Sequence, residues 1–418
     1  MTHADGSAGE GERLLPVEEA LRIVGSEAAP LGTEEVALEA ALGRVLAETV
    51  SSPADLPGLD RSAMDGYALR SADLSSTPRE LRVVGFIPAG EPASGIELRA
   101  GQAVRIMTGA PIPAGSDAVQ MVERTEDLGG GARVRILAPV RAGENISRRG
   151  EDLKAGAVVL GGGTWIRAAE IGALAAIGKT SLRVVRLPVA SLLSTGDEIV
   201  DPSTAPLPHQ IRNSNGPALL AAMTACGIHP TPLGIARDEP GRLDEKIEAG
   251  LSGDLLILIG GVSVGDRDLV SERLRAAGVR VLFHQIAMKP GKPLLFGRRS
   301  GCLVFGLPGN PLSALTAFLV FALPAMRKLS GLPPTGLPEV SARLTQGIEQ
   351  KPGRTWYRLA RITLEDGLFH AAPVPSTGSG DLVSATRANG FVIVPADVTE
   401  LAAGQVVRAL LWPHFEIT

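Results

Sequence analysis

The feature that most constrains the fold is a regular alternation of apolar and amphipathic runs between residues 187 and 331. An apolar run such as "DLLILI" has the length of a buried strand, whereas "GPALLAAMTAC", which Gly227 closes, has helical length and spacing. Strands that are apolar throughout and alternate with helices are typical of a parallel sheet covered by helices on both faces. The sequence therefore predicts a doubly wound α/β domain, which we assign to residues 13–31 and 187–331.

The sequence patterns in the rest of the chain predict smaller domains. Residues 54–154 contain short strand-like runs separated by Pro and Gly turns, which predicts an inserted, mostly β domain. The flanking ranges 32–53 and 155–186 contain "EEVALEAALG" and "RAAEIGALAAIG", and we expect these helical patterns to form one small connecting domain. Residues 337–418 follow a proline-rich linker, and Asp366-Gly367 is a strong hairpin signal. We expect a small β-barrel-like domain there.

Composition narrows the functional class. The chain has 418 residues, 44% of them hydrophobic and 21% charged, with a net charge of -4. Such a chain is long enough for about two to four folded domains. It has no basic stripe with aromatic residues, which argues against nucleic-acid binding, and no apolar run long enough for a membrane span. Cys226 and Cys302 lie far apart and form no CxxC motif, which argues against a disulfide framework and against a thiolate zinc site. Residues 1–12 are polar and unlike a signal peptide, so we expect a disordered tail on a cytoplasmic protein.

Three glycine-containing loops that follow strand-like runs are the best candidates for a binding site. They are "STGDEI" (194–199), "GGVSVGDRD" (260–268) and "GLPGNPLS" (306–313). Ligands of open parallel sheets bind beyond the carboxyl ends of the strands, where glycines allow close approach and polar residues add donors. A tight turn without a ligand is the alternative for any single loop, but three such loops at one edge favour a site. The candidate residues are Thr195, Gly196, Gly260, Gly261, Ser263, Gly265, Gly309 and Asn310.

Acidic residues in two of these loops indicate a divalent cation. The candidate metal ligands are Asp197, Glu198, Asp266 and Asp268. They would repel an oxyanion, since two unit charges about 4 Å apart repel by roughly 4 kcal/mol at an effective dielectric constant of about 20. A cation that bridges carboxylates and phosphate removes this conflict, and Mg²⁺ prefers such a mixed shell, with Zn²⁺ as the alternative metal. Lys289 and Lys292 would add positive charge, unless they are ordinary surface lysines.

Seven motifs in the chain, in this order, resemble one known family. They are "DRSAMDGYAL" (60–69), "AVRIMTGAPIPAGSDAVQMVE" (103–123), "RRGEDLKAG" (148–156), "LLSTGDEI", "GGVSVGDRD", "KPGKP" and "GLPGNP". The family is that of the molybdopterin molybdenumtransferases, which complete molybdenum cofactor synthesis and are related to the E domain of gephyrin. The resemblance runs from about residue 13 to the C-terminus. The "GGVSVG" loop alone is less specific, because molybdopterin adenylyltransferases share it.

The resemblance implies an elongated homodimer of four-domain subunits, with each active site in a cleft between the two subunits. From one α/β domain the site would take Glu198, Asp238, Asp268, Lys289, Lys292, Pro308 and Pro311. From the inserted β domain of the other subunit it would take Asp65, Thr108 and Asp152. C-terminal-domain residues that resemble those reaching the cleft are Arg354, Arg358, Ser376 and Ser379. The sequence departs from the family at Asn213, where an aspartate is frequent.

The implied reaction has adenylylated molybdopterin and molybdate as substrates. Metal-assisted hydrolysis would release AMP, and the dithiolene would capture molybdenum. No covalent nucleophile is needed, because positioning and electrostatic stabilisation suffice. The partner proteins that this reaction implies are a molybdopterin adenylyltransferase and downstream molybdoenzymes, and the sequence leaves open which protein delivers the pterin.

Two other functions fit part of the sequence. A molybdopterin adenylyltransferase would resemble the α/β domain alone, so the two β domains weigh against it. A non-catalytic scaffold of the gephyrin type predicts decay of the cleft carboxylates, whereas Asp65, Asp152 and Asp268 are all present. For Asp65, Thr108 and Asp152 the simpler interpretation is a turn or a cap, a role that these residue types often fill.

Overall fold

The computed structural model describes residues 14–237, 239–262 and 269–413. The chain divides into two units. Unit 1 is Met1–Glu34, Gly43–Val45 and Val184–Thr418, and unit 2 is Glu35–Leu42 and Leu46–Arg183. Unit 1 starts with helix α1 (Val17–Glu27), whose buried Val17, Ala20 and Val24 pack into the main core of that unit.

Unit 2 is built around a six-stranded sheet in the order β7-β4-β6-β5-β9-β8. Along β4, Tyr67 and Leu69 face one apolar core and Ala68 faces another, as the two-residue period of a strand requires. This sheet confirms the predicted mostly β insertion. The elements between residues 33 and 185 are β1 (Thr33–Ala37), β2 (Val50–Ser51), β3 (Arg61–Ser62), β4 (Gly66–Leu69), β5 (Arg79–Ile87), β6 (Gln102–Ile106), β7 (Ala118–Met121), β8 (Thr125–Leu128), β9 (Arg133–Ile136), β10 (Ile146–Ser147), β11 (Val158–Leu160), α2 (Ala168–Ala176) and β12 (Ser181–Val185).

The helix predicted at "EEVALEAALG" (34–43) is wrong. The segment forms β1, which pairs with β12, and then a 3₁₀ turn at Leu38–Ala40. The Ser181 hydroxyl donates to the Glu35 carboxylate at 2.6 Å, and Leu38 N donates to Thr180 O at 2.9 Å. Alanine and glutamate favour a helix locally, but pairing with a strand far along the chain overrides this weak propensity. The second helical pattern forms α2, as predicted.

Unit 1 contains a six-stranded sheet in the order β16-β13-β17-β21-β20-β18, covered by helices on both faces. Along β17, Leu255, Ile257 and Ile259 pack into the core that includes α1, whereas Leu256 and Leu258 pack into the core on the other face. This arrangement confirms the doubly wound α/β fold. The elements are β13 (Ala190–Thr195), β14 (Ile199–Val200), β15 (Ile211–Arg212), α3 (Asn215–Ala225), β16 (Thr231–Ala236), α4 (Pro240–Leu251), β17 (Leu255–Ile259), α5 (Leu269–Ala276), β18 (Arg280–Gln285), β19 (Met288–Lys289), β20 (Pro293–Arg299), β21 (Cys302–Leu307), α6 (Pro311–Ala317) and α7 (Leu323–Leu329).

The α/β sheet is mixed at one edge. The strands β16, β13, β17 and β21 run parallel, whereas β20 runs antiparallel to β21 and β18 runs antiparallel to β20. The reason is the connection: only Ser300 and Gly301 join β20 to β21. A two-residue loop can join antiparallel strands, whereas parallel strands need a long crossover.

A continuous helical stretch at residues 311–329 runs through the main core of unit 1. It consists of α6, a π-helical segment at Phe318–Ala322, and α7. The stretch is long and apolar enough to span a membrane, but 83% of its apolar part is buried inside the protein. Phe318 and Phe321 are completely buried among the residues of the main core. The stretch is therefore a core helix.

The C-terminal part of unit 1 is a small barrel, as predicted. Its sheet has the order β19-β24-β25-β22-β28-β26, and a further pairing of β24 with β26 closes five of these strands. Asp366 and Gly367, with φ of 51° and 77°, turn the predicted hairpin between β24 and β25. The elements are β22 (Glu339–Leu344), β23 (Ile348–Glu349), β24 (Thr355–Glu365), β25 (Leu368–Pro373), α8 (Leu382–Ala385), β26 (Gly390–Val394), β27 (Glu400–Leu401) and β28 (Val406–Leu411).

Candidate active site

The first predicted loop follows β13 and brings Glu198 against the backbone of Gly196. Gly196 has a φ of 133°, and a Cβ atom there would lie 2.6 Å from Oε2 of Glu198. Only glycine allows the chain to turn here with the carboxylate beside it. Thr195 is buried, and its hydroxyl donates to Ile259 O at 3.3 Å. Asp197 and Glu198 are exposed at the carboxyl edge of the sheet.

The second predicted loop starts at the end of β17. Gly260 has a φ of 88°, and a Cβ atom there would lie 2.8 Å from Thr195 O. The Gly260 N–H donates to Leu307 O at 3.0 Å, so the start of this loop is held between the ends of β13 and β21. Gly261 follows it. The predicted residues Ser263, Gly265, Asp266 and Asp268, together with Asp238, lie outside the described residues.

The third predicted loop joins β21 to α6 and is held from two directions. The Asn215 side chain, at the start of α3, donates to Gly309 O at 2.7 Å. On the other side, the Asn310 side chain donates to the Ser379 hydroxyl at 3.0 Å, and Leu312 N donates to Ser379 O at 3.0 Å. Asn310 therefore connects the α/β part of unit 1 with the C-terminal barrel part. Pro311 is the first residue of α6.

Two cavities adjoin at this loop, and both are lined by residues of unit 1. The first, which we call the carboxylate cavity, has a volume of about 380 Å³ and the second, the basic cavity, about 530 Å³. Both are lined by Pro293, Asn310 and Ser313. The predicted residues that line the carboxylate cavity are Thr195, Glu198, Gly260, Gly261, Pro308, Gly309 and Asn310. Those that line the basic cavity are Lys289, Lys292, Asn310, Arg354, Arg358, Ser376 and Ser379.

The basic cavity concentrates positive charge. None of the described residues that line it is acidic. Partial burial, followed by the charges of Arg354 and Arg358, lowers the pKa of Lys289 below its usual value, and burial lowers the pKa of Arg358. The surroundings thus disfavour the charged form of each group, and a bound anion would relieve that cost. The chemistry of the cavity therefore suits a small polyanion.

Hydroxyl groups from the barrel part complete the wall of the basic cavity. They lie on the loop before α8, where Asp381 accepts hydrogen bonds from the backbone N–H groups of Thr377 and Ser384, both at 3.0 Å. The hydrogen bond from the Ser384 hydroxyl is the main cause of the low pKa of Asp381, and the two backbone bonds add to it. Together they hold this pKa well below its ordinary value. The Ser376 hydroxyl lies 3.2 Å from Gly378 O. Asp381 thus fixes the backbone that presents Ser376 and Ser379.

Asn213 has a structural role in this arrangement. Its Oδ1 accepts the Gly216 N–H at 3.0 Å in the first turn of α3, and its Nδ2 donates to the Ser194 hydroxyl at 3.0 Å. An aspartate could accept the same N–H and take a hydrogen bond from Ser194 instead. Asparagine and the aspartate that is frequent in the family can therefore both maintain this local geometry.

Asp65, Thr108 and Asp152 belong to unit 2. Asp65 precedes β4, and its Oδ1 accepts both the N–H and the hydroxyl of Thr108, each at 2.7 Å. These two hydrogen bonds lower the pKa of Asp65. The structure thus brings Asp65 and Thr108 together. The second carboxylate oxygen of Asp65, Oδ2, takes no part in these two hydrogen bonds. Asp152 is exposed, and its N–H donates to Leu56 O at 3.1 Å.

Sequence reasoning missed several residues that shape the cavities. Trp356 lies in the basic cavity with Nζ of Lys289 3.9 Å from its ring centroid. Asn215 holds the third loop, and Ser313 lines both cavities. The alternating pattern of Arg354, Trp356 and Arg358 in "RTWYR" could have indicated the tryptophan, since alternate residues of a strand share a face. No local signal points to Ser313.

The sequence matches three family regions along most of its length. Residues 15–178 match the MoeA N-terminal region (domain I and II), residues 191–328 match a probable molybdopterin binding domain, and residues 341–412 match the MoeA C-terminal region (domain IV).

Curated relatives and solved structures agree with these matches. The molybdopterin molybdenumtransferase of Nostoc sp. is 38% identical over 392 residues, covering 91% of this chain and 89% of the relative. That of Bacillus subtilis is 36% identical over 409 residues, covering 95% and 94%. A molybdopterin biosynthesis moeA protein from Pyrococcus horikoshii OT3 has a similar structure, with a TM-score of 0.79 and 31% identity, covering 96% of this chain and 100% of that chain. The family resemblance of the seven motifs is confirmed, and this chain belongs to the molybdopterin molybdenumtransferase family.

Proposed function

We propose that this chain is a molybdopterin molybdenumtransferase, which inserts molybdate into the dithiolene of adenylylated molybdopterin and releases AMP. The observation that carries the proposal is the pair of adjoining cavities at the third loop. One presents Glu198 and glycine backbone, and the other presents basic side chains with hydroxyl groups. The phosphoanhydride of adenylylated molybdopterin and the molybdate oxyanion that joins its dithiolene need these two environments side by side.

The basic cavity would bind molybdate. Lys289, Lys292, Arg354 and Arg358 supply positive charge, and hydroxyl groups of the barrel part line the same cavity. The carboxylate cavity would hold the phosphates of the pterin substrate against the backbone of the first and second loops. Catalysis then depends on positioning the two substrates and on stabilising the negative charge that develops on the phosphate when AMP leaves.

We propose that a divalent metal assists this reaction. In the described part of the chain, no three His, Cys, Asp or Glu side chains lie together as a metal site. The described members of the predicted set are Asp197 and Glu198, and of these two Glu198 lines the carboxylate cavity. A carboxylate with substrate phosphate and water fits Mg²⁺ better than Zn²⁺, which takes at least three protein ligands. When bound, Mg²⁺ would neutralise phosphate charge as a Lewis acid. Asp266 and Asp268 remain proposed ligands outside the described residues.

The domain boundaries, the assembly and the cellular setting are also proposals. We propose an α/β domain at 13–31 and 187–331, a connecting domain at 32–53 and 155–186, a β domain at 54–154 and a C-terminal domain at 337–418. The predicted tail at 1–12 lies outside the described residues. The family resemblance supports a cytoplasmic homodimer in which Asp65, Thr108 and Asp152 of one subunit complete the site of the other. Catalytic roles for Asp238 and Asp268 rest on that resemblance alone, as do a molybdopterin adenylyltransferase and molybdoenzymes as partners.

The assay of purified protein with adenylylated molybdopterin, molybdate and Mg²⁺ tests this function. We expect molybdate-dependent AMP release by the wild type. Replacement of Glu198 (Glu198→Gln) keeps the shape of the side chain and removes its charge, and we expect it to slow AMP release by about 100-fold or more, the size typical of a lost electrostatic group. The matched control is Glu245→Gln on the exposed side of α4, which should release AMP at the wild-type rate. No AMP release by the wild type would refute the proposal.

A further inference from the structure

Two cations of the basic cavity lie against the ring of Trp356. The Lys289 Nζ atom is 3.9 Å from the centroid of its ring, and the Arg358 guanidinium carbon is 4.9 Å from the same centroid. Both distances are within the range of about 6 Å over which a cation is attracted by an aromatic ring, and tryptophan gives the strongest such attraction.

The backbone fixes this arrangement. Strand β19 pairs in parallel with β24, and Lys289 is the register partner of Trp356. Arg358 follows Trp356 by two residues in β24, so its side chain projects from the same face of the strand. The ring of Trp356 is half-buried and packs against the core of the C-terminal barrel. The cations therefore meet a ring that the barrel holds in place.

The chemistry of the ring suits an oxyanion site. Lys289, Lys292, Arg354 and Arg358 are like charges in one cavity, and after burial the charges of Arg354 and Arg358 lower the pKa of Lys289. A carboxylate at position 356 would hold the cations together, but it would also neutralise them and repel an incoming anion. A neutral ring attracts the cations through its quadrupole without adding negative charge. The cavity thus keeps its positive charge while two of its long side chains contact the ring.

We propose that Trp356 is a positioning residue, which orders Lys289 and Arg358 so that the basic cavity binds molybdate. This inference deepens the proposed function and rests on it for the identity of the oxyanion. Ordering long side chains before the ligand arrives lowers the entropy cost of binding. The ring acts on affinity for the anion and not on the chemical step, so its loss affects KM for molybdate more than kcat.

The test compares three variants by titration calorimetry with molybdate alone and by steady-state AMP release. For Trp356→Leu we expect molybdate binding about five- to thirty-fold weaker, with KM raised similarly and kcat nearly unchanged. Trp356→Phe keeps a ring and should recover part of the affinity. The matched control is Phe369→Leu, which removes a ring packed against the same barrel core on β25. It should bind molybdate as the wild type does.

Each outcome decides the matter. Wild-type affinity in Trp356→Leu overturns the inference, and so does an equal loss in Phe369→Leu or a loss confined to kcat. If Trp356→Leu does not fold, the test uses Trp356→Phe instead. The inference is then overturned if Trp356→Phe binds molybdate as tightly as Phe369→Leu does, or more tightly. A wild type that binds no molybdate overturns it as well. If the wild type releases no AMP but the three variants bind molybdate in the expected order, the proposed function fails and the role of Trp356 stands.

Discussion

The four basic side chains of the basic cavity are held in different ways. Lys289 and Arg358 contact the ring of Trp356, whereas Arg354 is exposed and precedes β24. Lys292 is half-buried, and its backbone is fixed because Lys292 O accepts the Ile286 N–H at 3.0 Å. Its ammonium group is a compact charge with three donors, well suited to one tetrahedral oxyanion. Lys292 is therefore the clearest test of charge alone.

Replacement of Lys292 by glutamine tests the contribution of a single charge. We expect Lys292→Gln to weaken molybdate binding by about 10- to 100-fold, because a hydrogen bond to a charged group is worth roughly 1.5–3 kcal/mol. Calorimetric titration with molybdate measures this effect. Lys351→Gln, at an exposed position outside the cavity, removes the same charge from the chain and should leave the affinity unchanged. Equal affinities of the two variants would contradict a direct contact of Lys292 with the anion.

Among the elements, an ion pair lies where two neighbouring strands of the α/β sheet, β13 and β17, begin. Arg186 donates two hydrogen bonds of 2.6 Å to Asp254, and the same carboxylate accepts the Val189 N–H at 2.8 Å. Asp254 directly precedes β17, and Val189 directly precedes β13. The side-chain hydrogen bonds of Arg186 are the main cause of the lowered pKa of Asp254. The pair therefore aligns the two strands whose far ends carry the first and second loops.

The lowered pKa of Asp254 predicts a loss of stability in acid. A carboxyl group with a depressed folded-state pKa stabilises the fold above its unfolded value of about 3.9, and this contribution disappears as the pH falls through the folded value. We expect Asp254→Asn to lower the free energy of unfolding by about 1–3 kcal/mol at pH 7, measured by urea denaturation. The difference from the wild type should shrink below about pH 4. A constant difference across this range would exclude the ion pair as its cause.

The control for this measurement is Glu19→Gln, which removes an exposed ion pair with Arg22 on the surface of α1. Such pairs are screened by water, so the free energy of unfolding should stay close to that of the wild type at every pH. A comparable loss in both variants would show that charge removal in general, and not the Asp254 pair, destabilises unit 1.

At the scale of the whole molecule, the proposed site residues divide between the two units. Glu198 and the four basic side chains belong to unit 1, whereas Asp65, Thr108 and Asp152 belong to unit 2. A homodimer that shares its sites would combine unit 1 of one subunit with unit 2 of the other. In such a dimer, a defect in one unit can be separated from a defect in the other by mixing subunits.

Mixed dimers test the shared site. Asp65→Asn and Glu198→Gln subunits should each release AMP far more slowly than the wild type when expressed alone. Random mixing gives heterodimers with one intact site, so we expect the co-expressed pair to regain about a quarter of wild-type AMP release. Sedimentation of the single variants would first establish that both still form dimers. If they do and the mixture stays inactive, a site shared between subunits is wrong.

Local sequence patterns were sufficient for much of this molecule. Runs of apolar residues and their periods predicted the α/β sheet, and glycine and acidic residues at strand ends predicted the loops around the carboxylate cavity. Asp366 and Gly367 predicted their hairpin, because that turn requires residues that tolerate positive φ. These features are encoded within a few neighbouring residues, so the sequence alone determined them.

Long-range packing decided the rest. The helical pattern at 34–43 became a strand because a distant partner strand was available. The contact of Lys289 with Trp356 depends on the pairing of β19 with β24, which joins segments far apart in the chain. Contacts of this kind are set by which strands meet in the folded protein, and no local period or turn signal carries that information.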